Sequence, residues 1–133
     1  MTKKYFTVQT AQKQLPKIKK SLLKLQNLKK ATDAIMSVRI DPGEIEYDEL
    51  METSTKLNKE FHKLSYGFYM ELEKLEKTGC IIKDLEQGLV DFYCRFEGRD
   101  IFLCWKIGED RIKAWHEINA GFAGRQTIVD IEQ

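Results

Sequence analysis

The side chains most able to do chemistry lie in the last third of the chain. His116 and Glu117 are adjacent, Arg125 ends the segment Gly121-Phe122-Ala123-Gly124-Arg125, and Asp84 and Cys104 lie upstream. A histidine beside a carboxylate could act as general base, and an arginine on a glycine-rich loop could bind an anion. Cys104 could be a nucleophile. Each also has a plainer reading. His116 would be a satisfied core histidine near Leu103, Arg125 a structural clamp and Asp84 a turn residue. Cys104 would be a structural thiol, since nothing in the sequence lowers its pKa. The glycine-rich segment lacks the glycine and lysine pattern of a phosphate loop. In any strand His116 and Glu117 point to opposite faces, so they cannot easily share one ion. Asp84, Glu86 and Asp91 could gather only as an oxygen cluster, and the Cys and His spacings match no zinc template. No metal and no cofactor are expected.

A small antiparallel sheet must position these residues. Val90, Phe92, Cys94 and Phe96 alternate with Asp91, Tyr93, Arg95 and Glu97. Ile101, Leu103, Trp105 and Ile107 alternate with Asp100, Phe102, Cys104 and Lys106. A Gly98-Arg99 turn would pair Phe96 with Ile101, Cys94 with Leu103 and Phe92 with Trp105, giving one uniformly apolar face. The other face would set Asp91 against Lys106, Tyr93 against Cys104 and Arg95 against Phe102. A third strand over 111–117 is expected to add Ile112, Ala114 and His116 to the apolar face, with Trp115 and Glu117 on the mixed one. Cys80-Ile81-Ile82 and Thr127-Ile128-Val129-Asp130-Ile131 are shorter strand candidates, and 119–126 reads as a loop. Tyr93, Arg95, Phe102 and Trp115 then form a candidate interface or ligand surface, because aromatics with arginine at the margin typify contact anchors.

Ahead of the sheet the pattern is helical. Leu15, Ile18, Leu22 and Leu25 form one stripe, continued by Leu28, Ala31, Ile35 and Val38 after a slip like a coiled-coil stammer. Thr7 is a candidate N-cap. Pro16 implies a kink or a separate first turn. Asp41-Pro42-Gly43-Glu44 opens the second helix or makes a turn just before it. Leu50, Leu57, Phe61, Leu64, Phe68, Leu72 and Leu75 share its inner face, and Gly79 ends it. On its opposite side His62, Tyr66 and Tyr69 are expected to pack under the sheet, with a subunit interface as the alternative.

A formal charge of +1 conceals an uneven distribution. Residues 1–32 carry nine Lys and no acid, whereas 41–78 carry ten acids and five Lys. Lys13, Lys17, Lys20 and Lys24 project away from the leucine stripe as a basic edge. Lysines alone give no base readout, so nucleic-acid binding through them would be weak and electrostatic. No apolar run approaches a membrane span, and no signal peptide is apparent. Three cysteines without a CxxC pair fit a reducing cytoplasm, and Cys94 and Cys104 face opposite ways, which opposes a disulfide between them.

One ordered series of segments runs through nearly the whole chain. It begins with Tyr5-Phe6-Thr7-Val8, Ala11 and Leu15-Pro16. Ile82-Lys83-Asp84-Leu85-Glu86 and Gly88-Leu89-Val90-Asp91-Phe92 follow. Leu103-Cys104-Trp105-Lys106, Gly108-Glu109, Trp115-His116-Glu117 and Gly121-Phe122-Ala123-Gly124-Arg125 complete it. In these the chain resembles the prokaryotic family catalogued as domain of unknown function 2203. It departs at Tyr93, where the family pattern has a proline after the Asp-Phe pair. The resemblance implies a similar fold and supplies no mechanism.

The sequence therefore predicts a single α+β domain. Residues 1–78 form a long antiparallel, coiled-coil-like helical hairpin, packed at one end on a sheet of three to five strands in 79–133. The expected role is a cytoplasmic, non-enzymatic interaction or assembly protein, a homo-oligomer with a dimer favoured or a binder of a protein partner. The alternatives are a small enzyme or anion-binding protein using His116, Glu117, Arg125 and Asp84, and a weak nucleic-acid binder through the lysine edge.

Overall fold

A computed structural model describes residues 3–129. The first helix, α1, spans Val8–Met36. Thr7 caps it as expected, its hydroxyl accepting from the Thr10 amide at 3.1 Å while the Thr10 hydroxyl accepts from the Thr7 amide at 2.8 Å. This reciprocal box satisfies two of the donors a helix start leaves free. The helix runs through Pro16, so no separate first turn precedes it.

The segment 41–45 is a turn, held by Asp41 Oδ1 accepting from the Gly43 amide at 2.9 Å. Helix α2 starts beyond it and spans Tyr47–Glu76. Asp48 and Glu49 in its first turn complement the helix dipole. Past its end Gly79 adopts φ +97°, and a Cβ there would lie 2.7 Å from the Lys4 side chain and 3.0 Å from Phe6. Only glycine meets both demands.

Five strands follow: β1 (Ile81–Asp84), β2 (Leu89–Phe96), β3 (Arg99–Lys106), β4 (Ala114–Glu117) and β5 (Gln126–Thr127). They lie side by side in chain order, each antiparallel to its neighbour. Beyond the start of β1 the N-terminal segment takes its place beside β2, with a parallel bridge between Tyr5 and Tyr93 and a 2.7 Å bond from the Phe6 amide to the Tyr93 carbonyl. The expected strand over 127–131 is confined to Gln126–Thr127 within the described residues, and Asp130 and Ile131 lie outside them.

Two registers differ from expectation. The β2–β3 turn is Glu97-Gly98, not Gly98-Arg99, so Cys94 faces Ile101, Phe92 faces Leu103 and Val90 faces Trp105. Glu97 and Gly98 take φ of 51° and 75°, the left-handed geometry that matches strand twist in a two-residue hairpin. The shift is two residues, so every side chain of β2 and β3 keeps its face. In β4 the phase is reversed. Trp115 lies opposite Leu103, and His116 lies opposite Phe102. Ile112 is in the core as predicted, but the strand begins only at Ala114, so alternation read from Ile112 does not carry across Lys113.

Ala11, Leu15, Ile18, Leu22 and Leu25 of α1 and Leu75 of α2 pack with Val90, Phe92, Leu103, Trp105 and Trp115 in one core. The hairpin thus covers the apolar face of the sheet with its base. Gln12 Oε1 fastens α1 to the sheet by accepting from the Ile112 amide at 2.9 Å. Away from the base the helices, among the described residues, have only each other. Leu28, Ile35, Leu50, Leu57, Phe61 and Leu64 stay half-buried, and α2 buries only Glu71 and Leu75. His62, Tyr66 and Tyr69 do not pack under the sheet. They are exposed, because the sheet meets α2 only near its C-terminal end.

Candidate functional site

The reversed phase of β4 builds a site that residue spacing does not show. Asp91 on β2 is directly opposite Cys104 on β3, and Cys104 is opposite Ala114 on β4. His116, two residues beyond Ala114, points to the same face. Its ring reaches back to Asp91, with Nε2 3.0 Å from Oδ2. A carboxylate oxygen, the Cys104 sulfur and an imidazole nitrogen lie within 4.8 Å of one another. All three residues are buried, at 1%, 0% and 2% exposure.

The electrostatics follow from that burial. Loss of water pushes the Asp91 carboxyl up, while His116, the Cys104 thiol and Lys83 of β1 pull the other way. The same loss of water, reinforced by the Asp91 charge, pushes the Cys104 thiol up to about 12. Among the described residues, Asp91 Oδ1 is buried without a hydrogen-bond partner. His116 Nδ1 lies 2.8 Å from the Glu117 carbonyl oxygen, which can only accept, so Nδ1 carries a proton. Phe102 flanks the imidazole with ring centres 5.5 Å apart, and the Lys83 ammonium lies 4.6 Å from the centre of the Phe102 ring.

The residues singled out from the sequence are dispersed. Glu117 turns to the helix side and pairs with Arg99 at 2.6 Å, which holds its carboxyl below the usual range. Arg125 donates to Glu109 at 2.7 and 3.0 Å and to the Cys104 carbonyl at 3.3 Å. It is the clamp of the plainer reading. Asp84 holds the β1–β2 turn by accepting from the Gln87 amide and side chain, both at 3.0 Å. Of these, only His116 and Cys104 meet.

The aromatic surface is corrected as well. Phe102 is buried, and Trp115 lies on the helix side, where its indole donates to the Thr127 carbonyl at 3.1 Å. Tyr93 is half-buried against Phe102 at 4.7 Å, and Arg95 is exposed and bound to Asp100 at 2.9 Å. These four do not form one contact surface. Lys13, Lys17, Lys20 and Lys24 are exposed as expected, and Lys24 reaches Glu71 of α2 at 3.3 Å. A cleft of about 630 Å³ opens between the N-terminal segment, the end of α2 and β1, lined among others by Lys3, Lys4, Phe68, Leu72, Cys80 and Tyr93. Neither His116 nor Arg125 borders it.

Sequence reasoning missed the partnership of Asp91 with His116. One signal pointed to it. Trp115 is the largest apolar side chain in its strand, and placing it toward the core forces His116 to the opposite face.

The class is thus an α+β protein, a helical hairpin on a five-stranded antiparallel sheet with an Asp–Cys–His cluster buried in its far face. Residues 4–128 match the family of uncharacterised conserved proteins DUF2203, and the chain belongs to it. No curated protein and no solved structure matches the chain. Among the described residues, no helix is long and apolar enough to cross a membrane.

Proposed function

We propose that this protein is a non-enzymatic assembly protein whose partner is a second copy of itself, joined along the outer hairpin. The observation that carries this is the half-buried seam of the distal hairpin, from Leu28 and Ile35 on α1 to Leu50, Leu57, Phe61 and Leu64 on α2. Two helices alone cannot remove such a seam from water, whereas four can enclose it. On the outward side of α2 Tyr66, Tyr69 and Met70 are exposed, with Tyr47 and Met51 exposed nearer its start, a concentration of the residue types that anchor interfaces.

Charge favours a second copy over an unrelated partner. Helix α1 carries seven Lys and one acid, and α2 carries seven acids and four Lys. The Lys24–Glu71 pair joins these opposite charges within the chain, and a two-fold pairing would set the remaining lysine edge against a neighbour's acidic helix. The free, buried Cys80, Cys94 and Cys104 support a reducing compartment such as the cytoplasm.

Sedimentation and light scattering test the reading. A mass twice the 15.6 kDa of the chain is expected, falling toward the monomer in high salt and in a Tyr66→Ser, Tyr69→Ser, Met70→Ser variant of unchanged helicity. A monomer at every concentration and salt would overturn it.

A further inference from the structure

We propose that Asp91, Cys104 and His116 form a zinc site. His116 Nδ1 donates to the Glu117 carbonyl, so in the neutral ring Nε2 presents a lone pair. That lone pair faces Asp91 Oδ2 at 3.0 Å, in a place 1–2% exposed. Two acceptors cannot hold this contact without a positive species between them. Either a proton or a metal ion must supply it.

Three features favour the metal. The imidazole is already oriented as zinc-bound histidines are, one nitrogen donating to a backbone carbonyl and the other turned to the site. Among the described residues the buried Asp91 Oδ1 has no hydrogen-bond partner, so one buried carboxylate oxygen is left unmatched. The donor set of one imidazole nitrogen, one sulfur and one carboxylate is a mixed set that zinc accepts, and it leaves a fourth position open. Charge also balances. Zinc enters with two positive charges. The thiol proton and the proton held between Asp91 and His116 leave, so the net charge of the buried cluster is unchanged. The ligands come from three different strands, which is why no zinc spacing appears in the sequence.

The test uses the full chain, reduced, stripped with a chelator and equilibrated with zinc or cobalt(II) alone. Stoichiometric zinc by mass spectrometry is expected, together with a thiolate-to-cobalt charge-transfer band. Cys104→Ser should abolish that band, and His116→Gln should release zinc to a competing chelator at least about tenfold more readily. Zinc well below stoichiometry, a cobalt spectrum without the thiolate band, or folded variants that retain metal as the wild type does would each overturn the proposal. If a variant fails to fold, the wild-type stoichiometry and cobalt spectrum decide on their own. Their failure would mean that a proton bridges Asp91 and His116, and would leave the pairing of hairpins untouched.

Discussion

The Ser21 hydroxyl on α1 donates to the buried Glu71 carboxylate on α2 at 2.7 Å, across the base of the hairpin. Lys24, one turn along α1, reaches the other carboxylate oxygen at 3.3 Å. This triad stands at the junction where the core-supported part of the hairpin gives way to the two-helix arm.

Removing the hydroxyl should be felt. Ser21 is 4% exposed and Glu71 7%, so Ser21→Ala leaves a buried carboxylate short of a donor. A loss of about 1–3 kcal/mol is expected in urea unfolding, with the slope against denaturant unchanged. A loss within error of zero would show that water replaces the hydroxyl.

Glu71 also makes stability depend on pH. Burial alone would raise its carboxyl, but the Ser21 hydroxyl and Lys24 ammonium outweigh burial and hold it below the ordinary 4.5. A carboxyl depressed by folding stabilises the native state above its unfolded pKa, and that contribution disappears as pH falls through the folded value. Glu71→Gln should therefore melt below the wild type at neutral pH. The gap should close as pH drops under 4.5. A gap constant from neutral to strongly acid pH would remove the carboxylate from the explanation.

Two glycines separate steric from backbone effects. At Gly88, φ is +69° and a Cβ would overlap Ile107 Cγ2. At Gly98, φ is +75° and nothing lies within 4 Å. Gly98→Ala should cost about 1 kcal/mol from backbone strain alone. Gly88→Ala should add an overpacking penalty of about 1–3 kcal/mol. Thermal or urea denaturation of both variants tests the order, and equal losses would contradict the close approach of Ile107.

The three thiols should be inert in the native state. Cys80, Cys94 and Cys104 are buried at 4%, 5% and 0% exposure, and burial pushes each thiol up. Alkylation at neutral pH, followed by mass spectrometry, should leave all three unmodified until denaturant is added. Rapid native labelling of Cys104 would mean that the sheet opens there.

Much of the fold is legible in local pattern. The leucine stripe of α1, the Thr7 cap and the alternation of β2 and β3 each depend on neighbours close in the chain, and each is found as expected. The hairpin register is not legible in the same way. Shifting β3 by two residues leaves every apolar side chain on its face, so alternation cannot tell the two registers apart. The φ values of Glu97 and Gly98 decide it. In β4 the pattern itself is ambiguous, because Trp115 and the Ala114–His116 pair compete for the core face, and the larger apolar side chain takes it.

The amino-acid order by itself determined which residues alternate, where α1 is capped and which helix faces are apolar. Those properties rest on backbone geometry and on burial of nonpolar surface, which act over a few residues. Only the tertiary structure decided that Asp91, Cys104 and His116 meet while Glu117, Arg125 and Asp84 turn to other partners. Proximity across strands depends on hydrogen-bond register between segments far apart in the chain, and a single residue of register sends a side chain to the opposite face of the sheet.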